Sequence, residues 1–121
     1  MMITNPEIIQ ALLKALADNK DANILALMAS QPLSAMDIVE KTNIPISSVY
    51  RRISQLEEQG LIGIDRTIVT QEGKSYNRYK ASFSQVTVKF QAGNFLVSVV
   101  PNQKIVEKAA HLFFSFGRRK D

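Results

Sequence analysis

The side chains best suited to recognition chemistry lie in one stretch, Ile46-Ser-Ser-Val-Tyr-Arg-Arg-Ile-Ser-Gln-Leu-Glu-Glu-Gln-Gly60. At about 100° per residue, Ile46, Val49, Ile53 and Leu56 share one side of a helix and must hold it to its domain. Ser47, Tyr50, Arg51 and Ser54 then fall on the far side, with Ser48 and Gln55 along one edge. Short hydroxyls at a helix start allow close approach to a DNA duplex. The Arg51 guanidinium can reach guanine O6/N7 or a phosphate, and the Gln55 amide can pair with an adenine edge. Arg52 turns toward the flank, to a phosphate or to a neighbouring acid. Glu57 and Glu58 would be repelled by phosphates, so their end of the helix is expected to point out of the groove. Downstream, Lys74 beside Gly73, flanked by Arg66 and Arg78, forms a second cationic set suited to phosphates or a minor groove. Tyr76 and Tyr79 are expected to pack a hairpin rather than stack on bases.

Other chemistries find little support. The 121 residues include no cysteine and one histidine, His111, so no thiolate metal site, disulfide or cysteine nucleophile is expected. No Gly-rich phosphate loop and no nucleophile-base pair is recognisable, so the chain is not expected to be an enzyme, and no metal or cofactor is expected. No apolar run approaches the ~18 residues of a membrane span, and the first residues lack a signal-peptide layout. The expectation is a cytoplasmic protein without membrane contact. The formal net charge is +4, but residues 21–83 carry seven basic and seven acidic side chains, and the surplus lies in residues 84–121 with six against two. Bulk charge is therefore weak support for a polyanionic partner.

The elements that must position these residues follow from periodicity and caps. Asn5-Pro6 opens a first helix with Ile8, Ile9, Leu12, Leu13 and Leu16 at helical spacing, ending near Asp18-Asn19. Asp21 can cap a second helix that stops before Gln31-Pro32, and Ser34 with Asp37 reads as a capping box for a short third helix ending at Thr42. After Asn43-Ile44-Pro45 a fourth helix runs from about 46 to 59, with Gly60 as its terminator. Ile62, Ile64 and Ile68 on even positions begin a hairpin with a long polar tip around Thr70–Tyr76, returning through Asn77–Phe83. A second hairpin with Gly93-Asn94 as its turn would set Phe90 against Val97 and Val88 against Val99, all the larger apolar groups sharing one face. A last helix, after Asn102, carries the stripe Ile105, Val106, Ala109, Leu112, Phe113 and Phe116, followed by the basic tail Arg118-Arg119-Lys120.

Helix, helix, short helix, turn, helix and hairpin is the order of a winged helix-turn-helix, whose post-turn helix enters the major groove. The stretch Leu33–Ile62, above all Ser-Ser-Val-Tyr-Arg-Arg-Ile with Leu-Glu-Glu-Gln-Gly-Leu-Ile, resembles the DNA-binding region of ArsR/MarR-type winged-helix transcriptional regulators, especially archaeal ones. Thr70-Gln-Glu-Gly-Lys74 followed by Arg78-Tyr79 resembles the wing of that group. The resemblance covers about residues 21–83 and implies a homodimer on palindromic double-stranded DNA. It extends to no sensor chemistry and leaves any small-molecule effector unknown.

The expected class is thus α+β, a winged helix-turn-helix with an added C-terminal β-hairpin and helix, in one compact domain. Residues 1–20 form an N-terminal helix with a dimer contact, 21–83 the DNA-binding region, and 84–121 a dimerising hairpin and helix. The expected DNA-contacting residues are Ser47, Ser48, Tyr50, Arg51, Ser54, Gln55, Arg66, Lys74 and Arg78. The expected seam between subunits joins Ile8, Leu12 and Leu16 to Ile105, Ala109, Leu112, Phe113 and Phe116. A different class, a winged-helix protein-interaction subunit without sequence-specific DNA binding, is the alternative.

Overall fold

The computed structural model describes residues 1–102. In chain order these form β1 (Met2–Ile3), α1 (Pro6–Ala17), α2 (Asn19–Ser30), α3 (Ala35–Thr42), α4 (Ile46–Glu58), β2 (Ile62–Val69), β3 (Ser75–Ala81), β4 (Phe83–Gln91) and β5 (Asn94–Pro101). The class is α+β. The expected last helix, with Ile105, Ala109, Leu112, Phe113 and Phe116, lies outside the described residues.

The first three helices each start on a side-chain cap. The Asn5 side chain accepts from the Glu7 and Ile8 amides with Pro6 opening α1, and Ser34 and Asp37 complete a capping box on α3. Asp18, not Asp21, caps α2: its Oδ1 accepts from the Lys20 and Asp21 amides, both at 2.9 Å. The same residue is the C-cap of α1, so α1 and α2 meet at a one-residue corner. Asn43 ends α3 with φ 63°, in the left-handed region that Asn tolerates. At the end of α4, Gly60 has φ 79°, its amide donates to Glu57 O at 3.0 Å and the Leu61 amide to Leu56 O at 2.9 Å. That is a Schellman closure, with its apolar clasp made by buried Leu56 and Leu61.

The strands form two antiparallel sheets, β2-β3 and β1-β5-β4. Leu33, just before α3, exchanges backbone hydrogen bonds with Tyr79 of β3 (2.9 and 2.7 Å), so β3 is tied to the helix-turn-helix on its other edge. The pairing of β2 with β3 shifts between Ile64 and Arg66. This bulge at Asp65 overturns the expectation of one apolar face: Ile62 and Ile64 share the core face with Tyr79 and Ala81, while Ile68, beyond the bulge, lies opposite Tyr76 on the other face. The tip is also shorter than expected. Strand pairing reaches Val69 and Ser75, leaving Thr70–Lys74 as a turn closed by Thr70 N to Lys74 O at 2.7 Å, with Gly73 at φ 84°.

The second hairpin turns one residue earlier than expected, on Ala92 (φ 52°) and Gly93 (φ 79°), the signature of a type I′ turn. Phe90 therefore opposes Phe95, Val88 opposes Val97 and Val86 opposes Val99. Moving the turn by one residue moves each partner by two, so the apolar face keeps its membership. The aromatic pair at the tip, with ring centroids 5.2 Å apart, is gained. β1, which has too few residues to show a period, pairs Ile3 with Val97.

One core gathers all of this: Ile8, Leu12 and Ala15 of α1, Ile24, Leu25 and Met28 of α2, Ile38 of α3, Val49, Ile53 and Leu56 of α4, and Phe83, Val97 and Val99 of the second hairpin. Ile8 and Leu12 were expected at a subunit seam. They are buried inside the protomer instead, in one core with α2, Ile3 of β1 and Val97 and Val99 of β5. Leu16 remains exposed.

Ala92 pays roughly 1–2 kcal/mol for its left-handed conformation. Ala92→Asn is expected to raise the urea unfolding free energy by about 0.5–1 kcal/mol, since Asn-Gly suits a type I′ turn. Were Gly93-Asn94 the turn, residue 92 would sit in a strand and the same change would destabilise.

Candidate nucleic-acid interface

Helix α4 divides as its spacing demands, with one revision. Val49, Ile53 and Leu56 are buried, but Ile46, expected in the same stripe, is 39% exposed. Ser47, Tyr50, Arg51, Ser54 and Gln55 are all exposed on the remaining surface. The helix starts at Pro45 with no side-chain cap, so its first amides face outward without an internal acceptor from a side chain. Ser48 departs from the expected contact set: it is half-buried and its Oγ accepts from Arg52 Nε at 3.3 Å.

Arg52 takes the acid rather than the phosphate. Its Nη1 lies 2.8 Å from Asp21 Oδ1 and 3.0 Å from Asp18 Oδ1, which pins α4 to the α1–α2 corner. The Arg52 and Asp21 side chains are largely covered, at 13% and 17% exposure. Their hydrogen bond raises the Arg52 pKa above its already high ordinary value, so the guanidinium is charged throughout the working pH range. Asp18 titrates below the usual aspartate value, chiefly because the Asp21 amide donates to it; desolvation opposes the shift, and Arg52 and the Lys20 amide add to it.

Two grooves flank α4. On one side a cleft of about 490 Å³ is lined by Ser34–Asp37 at the start of α3, Tyr50, and Ser75–Tyr79 of the wing. It brings Tyr50 and Arg78 to one place. The acid in it, Asp37, is engaged by the Ser34 amide at 2.9 Å. On the other side Arg51 and Gln55 line a smaller groove of about 210 Å³ with Lys14, Arg52 and Gln59 and the acids Asp18 and Asp21. Lys74 stands apart, exposed at the wing tip beside Glu72.

The bulge at Asp65 decides which way the wing cations point. Arg66 lies directly opposite Arg78, on the face away from Ile64 and Tyr79, and Lys80 shares that face two residues along. Like charges in direct cross-strand register repel. Arg66 has an ionic neighbour in Asp65, whose Oδ2 lies 3.8 Å from its Nε, and the Arg66 side chain is 62% exposed. Lys80, a wing cation by sequence that was not among the expected DNA contacts, stands at period-two spacing from Arg78. Helical spacing counts Ile46 as core, but it stands at the exposed start of α4.

A helix with a polar, cationic outer side, a preceding helix-turn, and a hairpin carrying three cations on one face define a winged-helix transcriptional regulator. Residues 22–82 match the family model described as sugar-specific transcriptional regulator TrmB, and the chain belongs to this family. A solved structure, HlyU from Vibrio cholerae N16961, is similar at 15% identity and a TM-score of 0.43, over 88% of this chain and 91% of that one. No curated protein matches the chain. The family is one of transcriptional regulators. Among the described residues no helix is long and apolar enough to cross a membrane.

The Arg52 clamp gives a stability test. Arg52→Gln leaves Asp21 covered without its cation and is expected to cost about 1–3 kcal/mol in chemical unfolding. Because the folded-state pKa of Asp18 is depressed, its contribution is present above the unfolded aspartate value and is lost as pH falls through the folded one. Wild-type stability should therefore drop over that acid window, and the drop should be shallower in Arg52→Gln. Equal acid slopes in the two proteins would refute the linkage.

Proposed function

We propose that the chain is a sequence-specific DNA-binding regulator that works as ArsR/MarR-type proteins do, as a cytoplasmic homodimer. Two copies of α4 occupy successive major grooves about 34 Å apart or a multiple of it, and the wing meets the flanking backbone or minor groove. The observation that supports this reading best is the two-sided build of α4. One side is buried with Val49, Ile53 and Leu56, while Ser47, Tyr50, Arg51, Ser54 and Gln55 stand exposed beside a wing with Arg66, Arg78 and Lys80 on one face. Arg51 and Gln55 read bases, Tyr50 and the serines give close approach, and Lys74, Arg66 and Arg78 hold phosphates. Ser48 acts through Arg52. Dimerisation draws on Leu16 of α1 and on residues 105–116, whose sequence repeats apolar side chains at helical spacing. Exposed Phe90 and Phe95 at the hairpin tip extend the apolar surface available to a second copy.

The charge balance of residues 21–83 favours a second reading, a winged-helix module that binds a protein. Titration against promoter fragments across salt concentrations separates the two. On the first reading, log affinity falls with log salt at a slope of about 0.9 per neutralised phosphate. Arg51→Ala loses about 1–3 kcal/mol on the specific site alone, and Lys74→Ala weakens all sequences alike with a shallower salt slope. Unchanged specific affinity in both variants would remove the proposed placement of helix and wing. Truncation after Pro101 is expected to give monomers or insoluble protein by light scattering, and a well-behaved dimer would count against the seam.

A further inference from the structure

The large apolar side chains left exposed in residues 1–102 gather mainly in two places: the second hairpin with the chain start, and the ground around the first turns of α3 and α4, where Met36, Ile46 and Tyr50 stand out. The second place is the less expected. A surface that meets a polyanion has little use for apolar groups, and Ile46 adds nothing to capping at the first position of α4. Val49, Ile53 and Leu56, on its own side of the helix, are at most 2% exposed, whereas Ile46 is at 39%. Tyr50, one turn along on the same flank, is at 57%. Together they form an apolar edge beside Ser47, at the end of α4 whose residues contact base edges in helix-turn-helix complexes.

Phosphates and base hydrogen-bonding groups cannot satisfy such an edge. The major groove offers one strongly apolar group, the C5-methyl of thymine. We propose that Ile46, backed by the Tyr50 ring, is a specificity-determining residue that packs on a thymine methyl in each half-site. The inference rests on the DNA-binding reading above and adds to it a base identity that none of the hydrogen-bonding residues supplies.

The test uses the full chain and a duplex enriched by the wild-type protein from random-sequence DNA. Each thymine is replaced in turn by deoxyuracil, which keeps the base pair and removes only the methyl. One thymine per half-site should weaken wild-type binding about fourfold when demethylated, the worth of one buried methyl-sized group. In Ile46→Ala that penalty should vanish, with the salt slope unchanged. The inference is overturned if no thymine shows the penalty, or if Ile46→Ala keeps it in full. The uracil duplexes on wild-type protein need no variant, so a folding defect cannot mask the first outcome. Failure to enrich any sequence would overturn the DNA-binding reading itself, and this inference with it, whereas an enriched duplex indifferent to its methyls overturns the inference alone.

Discussion

A single carboxylate sets the geometry on which the rest of the molecule depends. Asp18 ends α1, accepts the first free amides of α2, and holds the guanidinium of Arg52 at 3.0 Å. Three helices are thereby referred to one point, and α4 cannot roll about its axis without breaking the contact. The apolar stripe Val49, Ile53 and Leu56 supplies most of the attachment energy, but apolar contact is non-directional. The ion pair and the Schellman closure at Gly60 supply the direction, one near the middle of the helix and the other at its end. A helix fixed in this way can present its outer side in one orientation, which any readout of a rigid duplex requires.

The same economy governs charge. Residues 21–83 are neutral by count, yet three of their seven acids are engaged locally: Asp21 on Arg52, Asp37 in the capping box, Asp65 beside Arg66. Glu57 and Glu58 sit in the last turn of α4. What faces outward between α4 and the wing is therefore more cationic than the count suggests. Local placement, not net charge, carries the electrostatic case for a polyanionic partner.

Much of this was legible in the sequence, and the misses have physical causes. The order of elements, the capping box at Ser34 and the glycine stop at Gly60 are local signals, and they were readable. Asp18 and Asp21 both satisfy the rule for a cap; the structure uses Asp18, and both carboxylates also meet Arg52, a tertiary contact no local window contains. The bulge at Asp65 hides because isoleucines continue on even positions through it. The type I′ turn was misplaced because propensity disfavours Ala92 at positive φ, while the structure adopts that conformation and sets Phe90 against Phe95. Ile8 and Leu12 read as unpartnered because the core they join also takes in Ile3, Val97 and Val99, from strands far along the chain or too short to show a period.

The bulge also bears on how the wing works. Without it, strict alternation would place residue 66 on the core face with Ile62 and Ile64, and burying a guanidinium there would be costly. The extra residue turns Arg66 outward and sets it against Arg78, with Lys80 next along. Three cations on one strand face repel one another in the free protein, screened by water and relieved in part by Asp65. A phosphate laid along that face would relieve the repulsion further, so the arrangement favours the anion-bound state at some expense to the free one. Irregularity in β2 is in this sense what makes the wing a cationic surface, and a straight ladder of the same composition would not be one.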